Sequence, residues 1–467
     1  QVLFCAANCK YASVREAARS FGWKVVEEGG SQESRPRCHV CWVDVANIIE
    51  RMQQIQSWQR INHFPGMSNL ARKSRLAQNL EHMRRVFPAD FQFYPRTWVL
   101  PGDWSSFKQE FNASGKSNKT FIIKPDSGCQ GRGIYLTQDL SRVDSLESQV
   151  AQVYVCKPLL IDHLKFDLRV YVLLSSVRPF KLYIFRDGLV RMCTEKYVWP
   201  SPDNMGDRCM HLTNYSINKK SEAFVANEDA ERSDTGSKRS LKWLLEWVAE
   251  KYGTAKSELL WQKIGDCCSK SVVSVLPQLQ REYRNVFGDD GTVMLCHSHF
   301  PAQQADSIEG SRCIELLGFD FMLDSSLNPW LIEVNHLPSF GTDSPLDKRI
   351  KTKVLQTAMS IWGVKASDRA CYDKVSRRNS QARLYRSSSS SNSSSNSSSP
   401  ELLLFHCRKA AGMLCYLQGA TVQQALEDIY ALHAPEKLSK VPALLRKYEG
   451  KERKLLAQVR AKYEANS

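Results

Sequence analysis

Apolar and polar residues recur with two different periods along most of this chain. Short apolar runs at 2–7, 23–26 and 40–45 predict strands, and the helical spacing at 12–20 predicts a helix between the first two. A polar helix is predicted over 47–59. Another is predicted over 69–86, with Asn69 as its N-cap and many basic residues. Phe121-Ile122-Ile123-Lys124-Pro125 reads as a short buried strand stopped by proline. Residues 152–156 and 166–177, rich in Val, Tyr and Leu, read as further strands. The run 181–193 reads as a hairpin, with Asp187-Gly188 as its turn signal. Helices are predicted at 238–252 and 256–285. A second hairpin joins 313–323 to 330–334. No internal repeat is evident, and the pattern predicts an α/β body with strands leading and long helices packed on it.

The pattern then breaks. Residues 387–399 are only Ser and Asn, followed by Pro400, and a stretch with no apolar side chains to bury is expected to be a linker. Spaced apolar residues return at Leu402, Leu403, Phe405, Leu414, Leu417, Leu426, Ile429 and Leu432 and predict short helices. A last helix at 441–463 mixes Leu444, Leu445, Leu455, Leu456 and Val459 with seven Lys and Arg. It is either a solvated tail or a basic docking element.

Charge sharpens that boundary. The chain carries 64 Lys+Arg against 49 Asp+Glu, a net +15. Residues 1–345 hold 42 against 39, net +3, whereas 346–467 hold 22 against 10, net +12. The excess calls for an anionic partner: nucleic acid, an acidic membrane surface or an acidic protein. The 467 residues, 42% hydrophobic and 24% charged, suffice for two or three globular units with cores. No apolar run reaches the ~18 residues of a spanning helix. The apolar start at Val2 to Ala7 is too short for a signal peptide and lacks a basic flank. Gln1 in place of Met leads us to expect a chain trimmed at its front. Fifteen scattered cysteines, an odd number, read as reduced cytosolic thiols. Cys38-His39-Val40-Cys41 has no second pair to complete the four ligands zinc needs, so no zinc is expected there.

Four constellations carry chemistry. In Lys124-Pro125-Asp126-Ser127-Gly128-Cys129-Gln130-Gly131-Arg132-Gly133, a lysine ends a buried strand and a glycine-rich loop follows. Glycines let backbone N–H groups approach phosphate oxygens, and Lys and Arg add positive charge. The spacing is neither the P-loop nor the dinucleotide fingerprint. The alternative is a glycine-rich surface turn. Asp320 interrupts an apolar strand, while Glu333 and Asn335, two apart, share a face of the next. Three oxygen donors on a hairpin suit Mg²⁺ shared with substrate phosphates; the alternative is a partly exposed polar strand. Asp167 and Arg169 interrupt another apolar strand on one face, as site residues or as a structural ion pair. His211-Leu212-Thr213-Asn214-Tyr215-Ser216-Ile217-Asn218-Lys219 is dense in hydrogen-bonding groups and reads as a contact loop or a plain polar loop. The scattered histidines support no catalytic triad. His336, after the metal strand, is a substrate contact or a structural histidine.

Taken in order, the motifs KPDSGCQGRGI, KFDLRVYVL, HLTNYSINK, GSKRS, LLGFD and PWLIEVNHLPSFGTD resemble those of the tubulin tyrosine ligase-like proteins. The resemblance runs from Asn8-Cys9-Lys10-Tyr11, through Ile61-Asn62-His63-Phe64-Pro65-Gly66, to about residue 365. It implies an ATP-grasp-type catalytic body that joins an amino acid to a protein carboxylate. The subdomains would be an N-terminal one at 1–100, a central one with the phosphate loop at 101–210 and a C-terminal one at 211–365. A basic microtubule-binding segment at 346–386, the Ser/Asn linker at 387–400 and a basic helical extension at 401–467 would follow. ATP would meet Lys124, Gln130, Gly131, Arg132, Gly133, Ile134, Gln152, Val153, Tyr154, Val155, Lys165, Phe166, Asp167, Thr213 and Asn214. Asp320, Glu333 and Asn335 would hold Mg²⁺, two ions in the family scheme. Arg191, Tyr215, Ser216 and Lys238 would hold the incoming amino acid, and Gln130 and His336 would meet the protein acceptor. Lys124, Arg191 and Glu333 would carry catalysis.

The positions Ile61 to Gly66, Gln130 and His336 are most similar to the polyglutamylase branch, in particular to members that lengthen glutamate chains. The implied partners are free L-glutamate and the acidic tails of tubulin, without nucleic acid or membrane. The implied setting is a monomer in the cytoplasm on the cytoskeleton, with cilium, axoneme and basal body as sites. Glycylating or tyrosinating relatives, which share the ATP machinery, and a non-catalytic microtubule binder are the alternatives. Residues 287–311 depart most from the family pattern. Residues 346–386 carry 11 Lys+Arg against 3 Asp+Glu, where glutamylating relatives bind microtubules.

Overall fold

The computed structural model describes residues 1–27, 38–44, 48–113, 119–128, 131–229, 234–288, 292–295, 308–370, 372–374 and 377, with single positions beyond. Gln130, the Ser/Asn linker and most of 401–467 lie outside the described residues. The chain divides into two compact units: Gln1–Cys268 with Gln278–Ser393, and Ser269–Pro277 with Ser394–Ser467. In the second, Leu426, Val441, Leu455 and Val459 are helical and buried.

The first unit opens with β1 (Leu3–Asn8), α1 (Ala12–Ser20), β2 (Lys24–Val26), β3 (Val40–Val43), α2 (Ile49–Gln54) and β4 (Arg60–Ile61). The four strands form a parallel sheet in the order β2-β1-β3-β4. The helix expected over 47–59 is shorter, because Ile55 turns extended and Arg60-Ile61 pairs with β3. The helix expected over 69–86 is two, α3 (Ser68–Ala71) and α4 (Lys73–Val86), broken at an extended Arg72. Asn69 is no N-cap; it sits inside α3 and donates to the Gly66 carbonyl at 3.0 Å. The Ser74 N–H in the first turn of α4 is accepted instead by Asp126 Oδ1 at 2.8 Å, a cap supplied from 52 residues away.

β5 (Thr97–Leu100), α5 (Trp104–Ala113), β6 (Phe121–Pro125), β7 (Tyr135–Thr137) and β8 (Gln149–Val153) follow. Their antiparallel sheet runs β5-β8-β6-β7 over a core of Trp98, Phe107, Phe121 and Ile123. The strand expected at 152–156 begins earlier, set by its pairing of Phe121 with Val153 and Pro125 with Gln149.

The third sheet carries the site. Its strands are β9 (Leu160–Ile161), β10 (Leu164–Val177), β11 (Phe180–Lys196), β12 (Lys238–Ser240), β15 (Glu315–Leu323) and β16 (Pro329–Asn335), in the order β12-β11-β10-β15-β16 with β9 on β10. Asp187-Gly188 does not turn the chain. The turn falls at Arg178-Pro179, and Gly188 lies inside β11 opposite Val170. A Cβ there would stand 2.3 Å from the Arg169 carbonyl oxygen, so the glycine serves close strand approach, not reversal.

The polar 211–219 stretch folds as α6 (Arg208–His211) and α7 (Tyr215–Asn218) around a cavity. The helix expected from 238 begins three residues later as α8 (Leu241–Tyr252), with Ser240 accepting the Trp243 N–H as N-cap. The helix expected over 256–285 is two, α9 (Thr254–Val273) and α10 (Leu276–Phe287), with Pro277 at the start of the second. β13 (Thr292–Leu295) pairs with β14 (Ile308–Ser311), and α11 (Pro345–Trp362) packs Leu346, Ile350, Val354 and Leu355 into the core beside β1 and β10. Among the described residues no helix is long and apolar enough to cross a membrane. The described cysteines are free thiols; Cys38 and Cys41 each hydrogen-bond Cys5, which pushes both thiols up.

Candidate active site

Strand alternation places Lys165, Asp167 and Arg169 on one face of β10. Registration across the sheet then builds two rows. Lys238, Arg191 and Asp167 align on β12, β11 and β10, and Arg169, Asp320 and Glu333 align on β10, β15 and β16. The ion-pair alternative for Asp167 and Arg169 holds in a different form, because each pairs across strands. Arg191 forks onto Asp167 at 2.7 and 2.6 Å and reaches Asp320 at 2.9 Å. Arg169 forks onto Asp320 through Nε and Nη2. Gly318 leaves room for this, since a Cβ there would lie 2.9 Å from Arg169 Cδ.

Burial alone would push the Asp320 carboxyl up, but the two guanidiniums outweigh it and hold it down at about 2. Asn335 Nδ2 lies 3.4 Å from Asp320 Oδ2 and 3.3 Å from Glu333 Oε1, so the hairpin gathers the three oxygen-bearing side chains as expected. Among the described residues no group of three His, Cys, Asp or Glu is arranged for a metal. The donor set here is two carboxylates and one amide, an all-oxygen set that fits a hard divalent cation sharing its shell with phosphates.

Above the sheet lies a partly open cleft. Lys124, Ile134, Gln152, Val153, Tyr154, Val155, Lys165, Asp167, Arg191, Thr213, Asn214, Asp320 and Glu333 line it. Lys124 donates to Gln152 Oε1 at 2.7 Å, and Gln152 Nε2 donates to Thr97 Oγ1 at 2.8 Å, which fixes the amide and leaves the ammonium two further protons. Burial lowers Lys124 to about 8, and Lys165 likewise. Lys165 donates to Tyr154 Oη at 2.7 Å and to the His211 carbonyl at 2.6 Å. An ammonium only donates, so the Tyr154 hydroxyl gives its own proton to His211 Nδ1 at 3.1 Å. His211, lowered to about 4 by burial and Lys165, stays neutral in that role.

The loop after Lys124 keeps its expected glycines. Gly131 and Gly133 have positive φ, and a Cβ on Gly131 would come within 2.7 Å of Ile217. Arg208 Nη2 holds the Gly131 carbonyl at 2.6 Å. A buried lysine with free protons and a lining that includes Ile134, Tyr154 and Met322 fit a nucleotide triphosphate.

Other expected residues fall elsewhere. Phe166, 1% exposed, alternates to the opposite face of β10 and lends the cavity no side chain. Gly131, Arg132 and Gly133 do not line it either. Lys238 sits 3.6 Å from the Tyr215 ring centroid and 2.5 Å from Asp347 Oδ2. Ser216 follows Tyr215 on α7. His336 lines a separate cleft with Lys10, Tyr11, Asp44 and His63, and burial pushes its imidazole down.

Sequence reasoning missed Asp347, Lys351 and Glu315. Asp347 Oδ2 accepts from Lys238, Asp347 Oδ1 forms an ion pair with Lys351 at 2.8 Å, and Lys351 donates to the Gly341 carbonyl at 2.6 Å. Their signal was present: an i, i+4 charge pair on the apolar face of α11. Asn62 and His63 of the Ile61 to Gly66 motif tie β3 to β15. His63 donates through Nε2 to the Val43 carbonyl at 2.6 Å and through Nδ1 to Glu315 at 3.0 Å. With both nitrogens donating it is an imidazolium; burial opposes the charge, but Glu315 outweighs it and raises the group.

The mixed α/β body of several sheets and helices is that of an ATP-grasp-type protein. Residues 50–370 match the tubulin-tyrosine ligase family, and the chain belongs to it. Tubulin polyglutamylase ttll6 of Danio rerio is 42% identical over 383 residues, 82% of this chain and 45% of that protein. Tubulin polyglutamylase TTLL6 of Homo sapiens is 40% identical over 375 residues, 80% of this chain and 38% of that protein. A probable beta-tubulin polyglutamylase of Tetrahymena thermophila is 40% identical over 356 residues, 76% of this chain and 28% of that protein. The chain thus spans less than half the length of these relatives. Membership of the family implies ATP and a divalent cation, which the donor sets above fit.

Proposed function

We propose that the protein is an ATP- and Mg²⁺-dependent ligase that adds glutamate through isopeptide bonds to glutamate side chains, or to growing glutamate chains, on tubulin tails. The observation that carries the amino-acid assignment is the registered Arg191 and Lys238 pair. Two cations on adjacent strands match the two carboxylates of free glutamate, Tyr215 stacks against Lys238, and Ser216 follows it on α7. Polyglutamylase relatives at about 40% identity support the same reading.

Lys124, Lys165 and the loop from Gln130 to Ile134 bind the triphosphate, with Thr213 and Asn214 beside Asp167. Asp320, Glu333 and Asn335 hold Mg²⁺, two ions in this reading, and the metal supplies neutralisation of phosphate charge. An acceptor carboxylate takes the γ-phosphoryl group as an acyl phosphate, releasing ADP. The amino group of glutamate, oriented by Arg191, attacks that acyl carbon, and phosphate and a proton leave. Gln130 and His336 meet the acceptor.

The protein works as a monomer in the cytoplasm on the cytoskeleton, cilia included, without nucleic acid or membrane, and its cationic segment 346–386 meets the acidic polymer. Incubation with microtubules, ATP and Mg²⁺, offering glutamate, glycine or tyrosine separately, tests this by tail mass. Increments of glutamate residues are expected. Increments with glycine or tyrosine alone overturn the amino-acid assignment, and none with any of the three overturns the ligase.

A further inference from the structure

α11 ends at Gly363 in the left-handed region, and the chain then runs to Asp368, where helical residues resume at 368–370, 372–374 and 377. This second helical stretch opens the most basic part of the front body. Lys365, Arg369, Lys374 and Arg377 are exposed, and Asp368 is buried. What buries Asp368 is the N-terminal sheet. Arg60 on β4 and Asp368 are each 1% exposed in their side chains and stand 3.3 Å apart. Asp368 Oδ2 also accepts the Lys365 N–H at 3.1 Å, and Arg60 Nη1 donates to the Ser311 carbonyl at 3.2 Å.

Two neighbours add to the seat. Leu3 donates its N–H to His39 Nδ1 at 3.1 Å, so the ring proton is on Nε2, which faces the Ala366 carbonyl at 3.4 Å. The Arg369 guanidinium lies 5.2 Å over the Trp58 ring, and Trp58 meets His39 edge-on at 5.4 Å.

A buried ion pair is a poor source of net stability but a strong source of geometric definition, because misplacing either partner strands a charge. We propose that Arg60 and Asp368, with His39 and Trp58, are a clamp that seats the basic helix starting at Asp368 on the N-terminal sheet. The clamp holds the exposed cations of that helix as a docking surface for an acidic polymer at a fixed distance from the ATP cavity. It also removes the charge of Asp368 from the docking surface by pairing it inside. The proposal rests on the reading of tubulin as acceptor. Arg60 and Asp368 are positioning residues and touch no substrate.

The test uses the full chain. The double variant Arg60→Met with Asp368→Leu removes both charges and leaves neither stranded, and Arg369→Ala removes the exposed stack on Trp58 together with one surface cation. Each is measured for thermal unfolding, for glutamate incorporation into a short soluble tail peptide and into polymerised tubulin, and for co-sedimentation with microtubules. The clamp predicts an unchanged peptide rate and a polymer KM raised about tenfold in the double variant, from loss of the fixed effective concentration. Equal losses on peptide and polymer, or no loss on either, overturn it. The charge reversals Lys374→Glu and Arg377→Glu separate the two ideas. If they weaken sedimentation while the double variant does not, the clamp fails alone; if they leave sedimentation unchanged, the polymer-docking reading fails and the clamp with it.

Discussion

Lys124 and Lys165 set a pH behaviour that can be measured without turnover. Burial holds both near 8 in the nucleotide-free protein, so each is partly deprotonated above that pH. Triphosphate binding restores the charged form. The sign is therefore proton uptake on binding at pH 8.5, fading to none at pH 6.5, where both lysines already carry their protons. Calorimetry of a non-hydrolysable ATP analogue in buffers of different ionisation enthalpy reads it directly. Glu333 stands at the end of the registered row and borders the cavity. Glu333→Gln keeps the shape and removes one carboxylate of the oxygen set, so glutamate incorporation falls at least a hundredfold, ~3 kcal/mol. Microtubule sedimentation stays unchanged. A variant with near-normal incorporation would remove Glu333 from the metal set.

The strands and helices set the precision with which those residues meet. β10 is straddled by glycines, Gly188 on β11 and Gly318 on β15, each where a Cβ would strike Arg169. Gly188→Ala forces backbone apart in the middle of the sheet and costs about 3 kcal/mol, seen as a lowered Tm. α11 contributes from its first turn. Asp347 orients Lys238 and is itself held down by Lys351 and Lys238 against the upward push of burial. Asp347→Asn loosens that orientation. It raises the KM for glutamate about tenfold, the value of one hydrogen bond to a charged group, with ATP affinity unchanged. Isotope-labelled glutamate titration separates the two constants.

Across the whole molecule, charge and chemistry are segregated. Residues 346–467 carry net +12, and the first part of that segment is a core helix: Lys348, Arg349 and Lys353 face outward while Lys351 is buried against Asp347. Long-range attraction to an acidic polymer is screened over about 10 Å at 0.1 M salt. Raising salt from 50 to 200 mM therefore weakens microtubule binding severalfold and leaves modification of a short tail peptide nearly constant. Parallel losses on both acceptors would place the salt effect in the catalytic cavity instead.

Sequence alone determined β10, β15 and β16 of the third sheet, the oxygen-bearing trio, the buried lysine with its glycine loop and the place of the charge boundary. Each is written in local signals: period-two alternation, apolar runs interrupted by single carboxylates, composition. Arg191 and Lys238 as substrate cations came only from family resemblance, since nothing local distinguishes them from solvated charges. Registration decided the rest. It placed Arg191 on Asp167 and Arg169 on Asp320, moved the turn from Asp187-Gly188 to Arg178-Pro179, and capped α4 with Asp126. It also buried Asp347, Lys351, Glu315 and Asp368 as partners. These depend on which strand lies beside which, and a one-residue slip would send every such side chain to the other face. Pairings between residues 24 to 308 positions apart leave no trace in a local pattern, because their free energy comes from desolvation and contact that exist only once the sheets have met.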